Sequence, residues 1–337
     1  KRSAGSKPSV EAKPAKAQQA KPKGPHVART SPESVRYIKS DAGIFGANIF
    51  RPIPKGTKER MEAVTRHGPF SLFFVSPYGL SATDQDVFLT ALYLASSRQP
   101  YLKLTGDTEE GAQMRTLMVP KDEEAGIESE YPFLLVKTSL GEMLREMGKE
   151  ISGASTKSLR EALERIGYVV VKATHDDGRV GNSLLMRYQK APPSEDSDAE
   201  TVHLILHSRL AAAVLGTEDG DLQHIRVNYE DRMALENQVA RIIHALISSK
   251  VRVGETWKIG LDKLILHVYN GIPLNERTLR DRRQQIREAI AEICSLNSWK
   301  ATAWIDGKDG PVACFKRAKT DAVFPQFPKP EQGIFDF

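Results

Sequence analysis

One order of elements, spelled out twice about 120 residues apart, limits what this chain can fold into. In the first occurrence TSLGEMLREMG sets Leu140, Met143, Leu144 and Met147 at positions i, i+3, i+4 and i+7, the single apolar stripe of a short helix. KIGLDKLILHVYNG repeats that spacing with Leu261, Leu264, Ile265 and Val268. After each comes a polar turn with glycine and then a second helix, SGASTKSLREALERIG and NERTLRDRRQQIREAIAEICSLN. A strand (YVVVKATH, WKATAWID), a glycine turn (residues 176–182 and 307–310) and another strand (SLLMRYQK, PVACFKRAK) close each copy. A longer helix precedes each copy, near residues 81–99 and 234–250, and supplies the third side of a core. Helix, turn, helix and hairpin is the layout of a winged helix. Two copies predict an α+β chain with two tandem winged-helix (helix-turn-helix) domains.

Composition sets the ends apart from this body. Residues 1–40 are rich in Lys, Ala, Pro and Ser with almost nothing to bury, which predicts a disordered basic arm. Residues 1–30 alone carry +7 of a total formal charge of +5, so the rest of the chain is at −2. Net charge therefore says little about the body, and the placement of arginine and lysine on particular elements carries the argument. The expected divisions are the arm at 1–40, a first domain at 41–218, a second at 219–319 and an aromatic tail at 320–337. Acidic stretches at 121–131 and 191–200 read as surface loops. The chain opens at Lys1 rather than Met, so a segment upstream of it is expected.

A helix behind a turn and ahead of a hairpin is placed to enter a DNA major groove, and the second copy has the side chains for it. Leu279, Ile286, Ile290 and Ile293 form its buried stripe, with Asn275 as N-cap and Thr278 as the alternative cap. Arg277, Thr278, Arg280, Asp281 and Gln284 then face outward. Arg277 or Arg280 can grip guanine O6 and N7, Gln284 an adenine, and Asp281 a cytosine amine or Arg277 itself. Arg282 and Arg283, nearer the buried edge, are assigned to backbone phosphates or a structural ion pair. The competing reading is a solvated face laced by Glu276 to Arg280 and Arg277 to Asp281, each pair worth roughly 0.3 to 0.5 kcal/mol. In the first copy Leu159, Leu163 and Ile166 bury the helix, leaving Lys157, Ser158, Arg160, Glu161, Glu164 and Arg165 exposed. Its acidic residues leave packing or dimerisation open as its role. Arg179 and Lys308 in the two glycine turns are expected phosphate contacts at the wing tips.

These residues carry a resemblance. SGASTKSLREALERIGYVVVKA (152–173), TLRDRRQQIREAIAEICSLNSW (278–299) and LHSRLAAAVLG (206–216) resemble the replication protein C family of IncQ-type plasmid replication initiators, in order over residues 45–319. The resemblance implies a tandem winged-helix monomer that binds direct repeats (iterons) in double-stranded DNA at an origin, helps open the duplex and recruits a replicative helicase. It places DNA contacts at Arg277, Thr278, Arg280, Arg282, Arg283 and Arg287, and at Lys157, Ser158 and Arg160. The basic arm, the acidic insertions and the tail lie outside it.

Enzyme readings find little footing. No GxxxxGK[ST] occurs, and MGKE at 147–150 lacks both the glycine-rich lead and the hydroxyl. In HLILH the site of a second metal-binding histidine is Ile205, so His203 and His207 read as core or surface residues. Cys294 and Cys314 make neither a disulfide framework nor a zinc site. A binder without cofactor is expected, in the cytoplasm, with no membrane partner. A homodimer is a further expected partner. The tail's Phe324, Phe327, Ile334, Phe335 and Phe337 either pack back on the body or, through QGIFDF with Gln332, Phe335 and Phe337, dock on a bacterial sliding clamp. The rival functions are a winged-helix transcriptional regulator on a specific operator and an architectural DNA binder.

Overall fold

The computed structural model describes residues 36–53, 59–97, 102–104, 108–118, 132–190, 201–215, 224–270, 275–300, 304–307 and 310–318. It begins with β1 (Tyr37–Asp41) and α1 (Ala42–Gly46), where the Asp41 carboxylate accepts from the Ile44 N–H at 2.9 Å as N-cap. Residues 36–40, expected to belong to the arm, are therefore part of the folded body. Ile38 is fully buried because β1 pairs with β12 (His224–Asn228), a partner far away in sequence that local composition does not reveal. Arg36 ties the same entry point down, donating to Glu230 at 3.1 Å and to Glu146 at 3.2 Å. Residues 1–35 lie outside the described residues.

Next come β2 (Phe50–Arg51), the hairpin β3 (Met61–His67) and β4 (Phe70–Ser76), β5 (Leu80–Ser81) and α2 (Ala82–Ser97). The hairpin turns at Gly68, whose φ of +58° suits glycine. Helix α2 is buried along nearly its whole length and packs on the elements around it. Then follow β6 (Leu102–Leu104), α3 (Glu109–Thr116), β7 (Phe133–Ser139), α4 (Leu140–Glu146) and α5 (Gly153–Gly167). Beyond them lie β8 (Val170–His175), β9 (Val180–Leu184), β10 (Met186–Lys190), β11 (Thr201–Leu206) and α6 (Ser208–Leu215).

The expected strand SLLMRYQK is in fact two. Leu184 ends β9 against Val170 of β8, and Met186 begins β10 against Leu206 of β11. Leu185 stands between them, its N–H held by the Val169 carbonyl at 2.8 Å. The chain thereby leaves the sheet β3-β4-β8-β9 for the sheet β10-β11-β7-β6. One segment with two different sheet neighbours cannot be divided by its own alternation.

After β12 come α7 (Tyr229–Ala234), α8 (Gln238–Lys250), β13 (Thr256–Gly260), α9 (Leu261–Tyr269), α10 (Glu276–Cys294), β14 (Trp299–Lys300), β15 (Trp304–Gly307) and β16 (Gly310–Arg317). The last sheet runs β13-β16-β14, with β15 also on β16. One apolar cluster runs through both copies of the helix-turn-helix order. It includes Leu140, Met143, Leu144, Leu159, Leu163 and Ile166 of the first and Leu261, Leu264, Ile265, Val268, Ile286, Ile290 and Ile293 of the second. Burial of each such side chain contributes roughly 1.5 to 3 kcal/mol, which is what holds the exposed faces of α5 and α10 in place.

Candidate nucleic-acid interface

Helix α10 is built to hold an outward row still. Asn275 Oδ1 accepts from the Thr278 N–H at 2.8 Å, closing the first turn as the expected N-cap. Ile286, Ala289, Ile290 and Ile293 are buried and Leu279 packs partly on the same cluster. Two arginines on the flanks bind protein. Arg283 donates to both carboxylate oxygens of Asp262 on α9, Nε at 3.0 Å and Nη2 at 2.9 Å, and this pairing raises the guanidinium's pKa further above its ordinary value. Arg282 lies over the Tyr269 ring at 4.1 Å, a cation–π contact with the end of α9. Of the two roles expected for Arg282 and Arg283, the geometry favours protein contact.

Tyr269 also donates its hydroxyl hydrogen to Gln285 Oε1 at 2.5 Å, and burial pushes the phenol up to about 12. The flank with Thr278, Asp281, Arg282 and Gln285 lines a groove of about 1160 Å³ opposite Glu236 and Asn237 at the start of α8. At the far end of α10, Glu292 accepts the backbone N–H groups of Glu236 and Asn237. The helix is thus fastened to α9 along one side and to α8 near its C-terminus.

What remains outward is Arg277, Arg280, Asp281, Gln284 and Arg287, all exposed, with Thr278 half-buried. Among the described residues Arg277 and Arg280 make no side-chain ion pair or hydrogen bond, so the i, i+4 lacing of the competing reading is not formed. Gln284 donates to Glu288 Oε1 at 2.9 Å, a single exposed bond that a base edge can replace.

In the first copy Ser152 and Ser155 form a reciprocal capping box at the start of α5. Lys157 and Ser158 are exposed and Arg160 is half-buried. Arg165, expected to be exposed, turns inward and donates to Asp84 Oδ1 at 3.1 Å through Nε and at 2.7 Å through Nη2. The reason is Asp84 on α2, a carboxylate 1% exposed that needs a cation, and which also accepts from the Ser81 hydroxyl and N–H. Sequence spacing alone could not reveal a partner 81 residues away.

Arg179, at the turn between β8 and β9, is exposed but bonds Asp177 Oδ2 at 2.7 Å. Asp177 is held down to about 2, first by the Arg179 N–H, and so stays ionised beside that guanidinium. Asp176 next to it pairs with Arg66 at 3.1 Å. The turn between β8 and β9 thus has mixed charge rather than a lone cation. Lys308 and the tail residues Gln332, Phe335 and Phe337 lie outside the described residues. Among the described residues no cluster of His, Cys, Asp and Glu is arranged to hold a metal ion, and no helix is long and apolar enough to cross a membrane.

A family model described as replication protein C (RepC) matches residues 36–310. No curated protein matches at a significant level. Among solved structures the chain is similar to domains 2 and 3 of RctB, at 12% identity and a TM-score of 0.48, over 83% of this chain and 98% of that one. It is also similar to the Pi initiator protein in complex with iteron DNA, at 10% identity and a TM-score of 0.48, over 86% and 99% respectively.

Proposed function

Since the chain belongs to the replication protein C family, we propose that this replication initiator reads direct repeats at a plasmid origin with two tandem winged-helix heads, at 41–218 and 219–319. The second head supplies most of the sequence specificity. The observation that carries this is the pair Arg277 and Arg280, exposed and unpaired among the described residues on a helix fastened to α9 along one side and to α8 near its C-terminus. Guanidinium groups held this way have lost little freedom to internal bonds and can bind guanine bidentately. Gln284 and Arg287 extend the same row. Lys157, Ser158 and Arg160 of α5 add contacts from the first head, with Arg179 and Lys308 on phosphates at the wing tips.

Two non-identical heads in one chain suit an asymmetric, directly repeated site, whereas an operator-binding regulator with one head per subunit suits a palindrome. In this reading the bound chain helps open the neighbouring duplex and recruits a replicative helicase, and the tail residues Gln332, Phe335 and Phe337 dock on a sliding clamp. The test uses the full chain at fixed salt on DNA carrying tandem repeats from beside its gene and on a scrambled duplex. Tighter binding to the repeats is expected, and the double variant Arg277→Ala/Arg280→Ala should lose most of that difference. Equal affinity for both duplexes would reject the reading and leave an architectural binder.

A further inference from the structure

Among the described residues the non-glycine positions with positive φ are Asn48, at +51°, and Asn270, at +58°. Each follows a helix, α1 or α9, in the left-handed turn that asparagine tolerates. What sets them apart is where their amides go. The Asn48 amide donates across to the end of α9, to the His267 carbonyl at 2.8 Å and to His267 Nδ1 at 3.1 Å. With its amide oxygen turned toward Arg51, Asn270 accepts from Nη1 at 3.2 Å and from Nη2 at 2.7 Å. Arg51 Nη2 also reaches the Glu62 carbonyl at 3.2 Å, which anchors the guanidinium to its own side. Behind this polar edge Ile44, Phe45 and Ile49 close on Ile242, Ala245 and Leu246 of α8 around a void of about 10 Å³. The apolar seam therefore grips α8, while Asn48 and Arg51 grip α9. Helix α10 rides on α9 through Arg283 on Asp262 and Arg282 on Tyr269.

We propose that Asn48 and Arg51 are positioning residues that fix the reach from α5 to α10, so that the chain accepts a repeat of one length. This rests on the reading of α5 and α10 as two heads on one DNA site. Each base pair inserted between their targets moves the second target by about 3.4 Å and turns it by about 35° around the duplex. Heads tied at both α8 and α9 cannot follow that displacement. Without the tie at α9, the pair α9 and α10 tilts on α8 and recovers part of the contact. Asn48 and Arg51 touch no base in this scheme and act through His267 and Asn270.

Two variants remove the tie and spare the backbone: Asn48→Gly keeps a residue suited to positive φ, and Arg51→Met keeps an apolar stem. Without DNA, spin labels at Glu161→Cys on α5 and Glu288→Cys on α10, with Cys294 and Cys314 changed to serine, report the distance between the heads by electron–electron resonance. The distribution should be narrow in the otherwise unmodified chain and broader or displaced in Asn48→Gly/Arg51→Met. With DNA, at fixed salt, one base pair is inserted between the stretches that the two heads protect. That insertion should weaken the unmodified full chain about tenfold or more and the double variant about threefold or less. Arg51→Met alone should fall between them, and it stands in if the double variant fails to melt cooperatively. A variant with the unmodified distance distribution, or one that penalises the insertion as the unmodified chain does, would overturn the proposal. A chain that binds repeats and scrambled duplex alike rejects the DNA reading instead, and the distance distribution then decides by itself whether the tie holds α10.

Discussion

His244 of α8 is fully buried, and neither ring nitrogen has a hydrogen-bond partner in the described structure. It packs edge-on to Trp299, with ring centroids 6.0 Å apart. Burial first, then the positive charges of Arg232 and Arg317, hold its pKa well below the ordinary 6.5. The sign follows from linkage. The unfolded chain binds this proton near pH 6.5 and the folded one does not, so stability is complete above that pH and drains away as pH falls below it. We expect His244→Leu to flatten the acid side of a plot of urea midpoint against pH between about 6.5 and 5. An unchanged acid limb would show that His244 is not the group responsible. At the same scale, Arg165 and Arg283 show why an arginine count cannot identify DNA contacts: each is taken up by a carboxylate, Asp84 or Asp262, that belongs to a different element.

Among elements, α2 joins the two copies. Asp84 and Asp86 are two residues apart and so project to roughly opposite sides of the helix. Asp84 holds Arg165 of α5, while Asp86 accepts from Arg232 of α7 at 2.9 Å and from Arg241 of α8 at 2.7 Å. Arg232 is completely buried, and burial is what depresses its pKa most. Removing its carboxylate leaves a cation without compensation. Asp86→Ala should therefore cost about 3 to 5 kcal/mol in urea unfolding, the usual penalty for breaking a buried pair. A loss below about 1 kcal/mol, the scale of a surface pair, would mean that the charge finds another partner. None of this network was legible beforehand, because its members are separated by up to 155 residues. The helices themselves were. The apolar spacing of α4, α5, α9 and α10 and the Asn275 cap are set by local periodicity, and burial follows that spacing at Leu159, Leu163, Ile166, Ile286, Ile290 and Ile293. Strands fared worse: the hairpin β3-β4 went unread although it carries the sheet on which β8 lies, since its partner begins a hundred residues later.

Across the whole molecule, the formal charge is uneven: residues 1–30 carry +7 and the rest of the chain −2. The body has a small negative formal charge, so its affinity for DNA has to come from placed groups rather than from an overall field. Local spacing puts Arg277, Arg280, Arg282 and Arg283 on one helix, and the structure separates the first two from the last two, a distinction that depends on where Tyr269 and Asp262 end up. Base preference is the property that follows most directly from that separation. The decisive measurement is the full chain's affinity, at one salt concentration, for its repeat and for every single-base substitution of it, compared with Arg280→Ala over the same series. Arg280 in contact with a guanine means a loss of about 1 to 3 kcal/mol on the unaltered repeat and a preference erased at one position only. Identical base profiles for the two proteins would contradict the assignment of α10 as the reading helix.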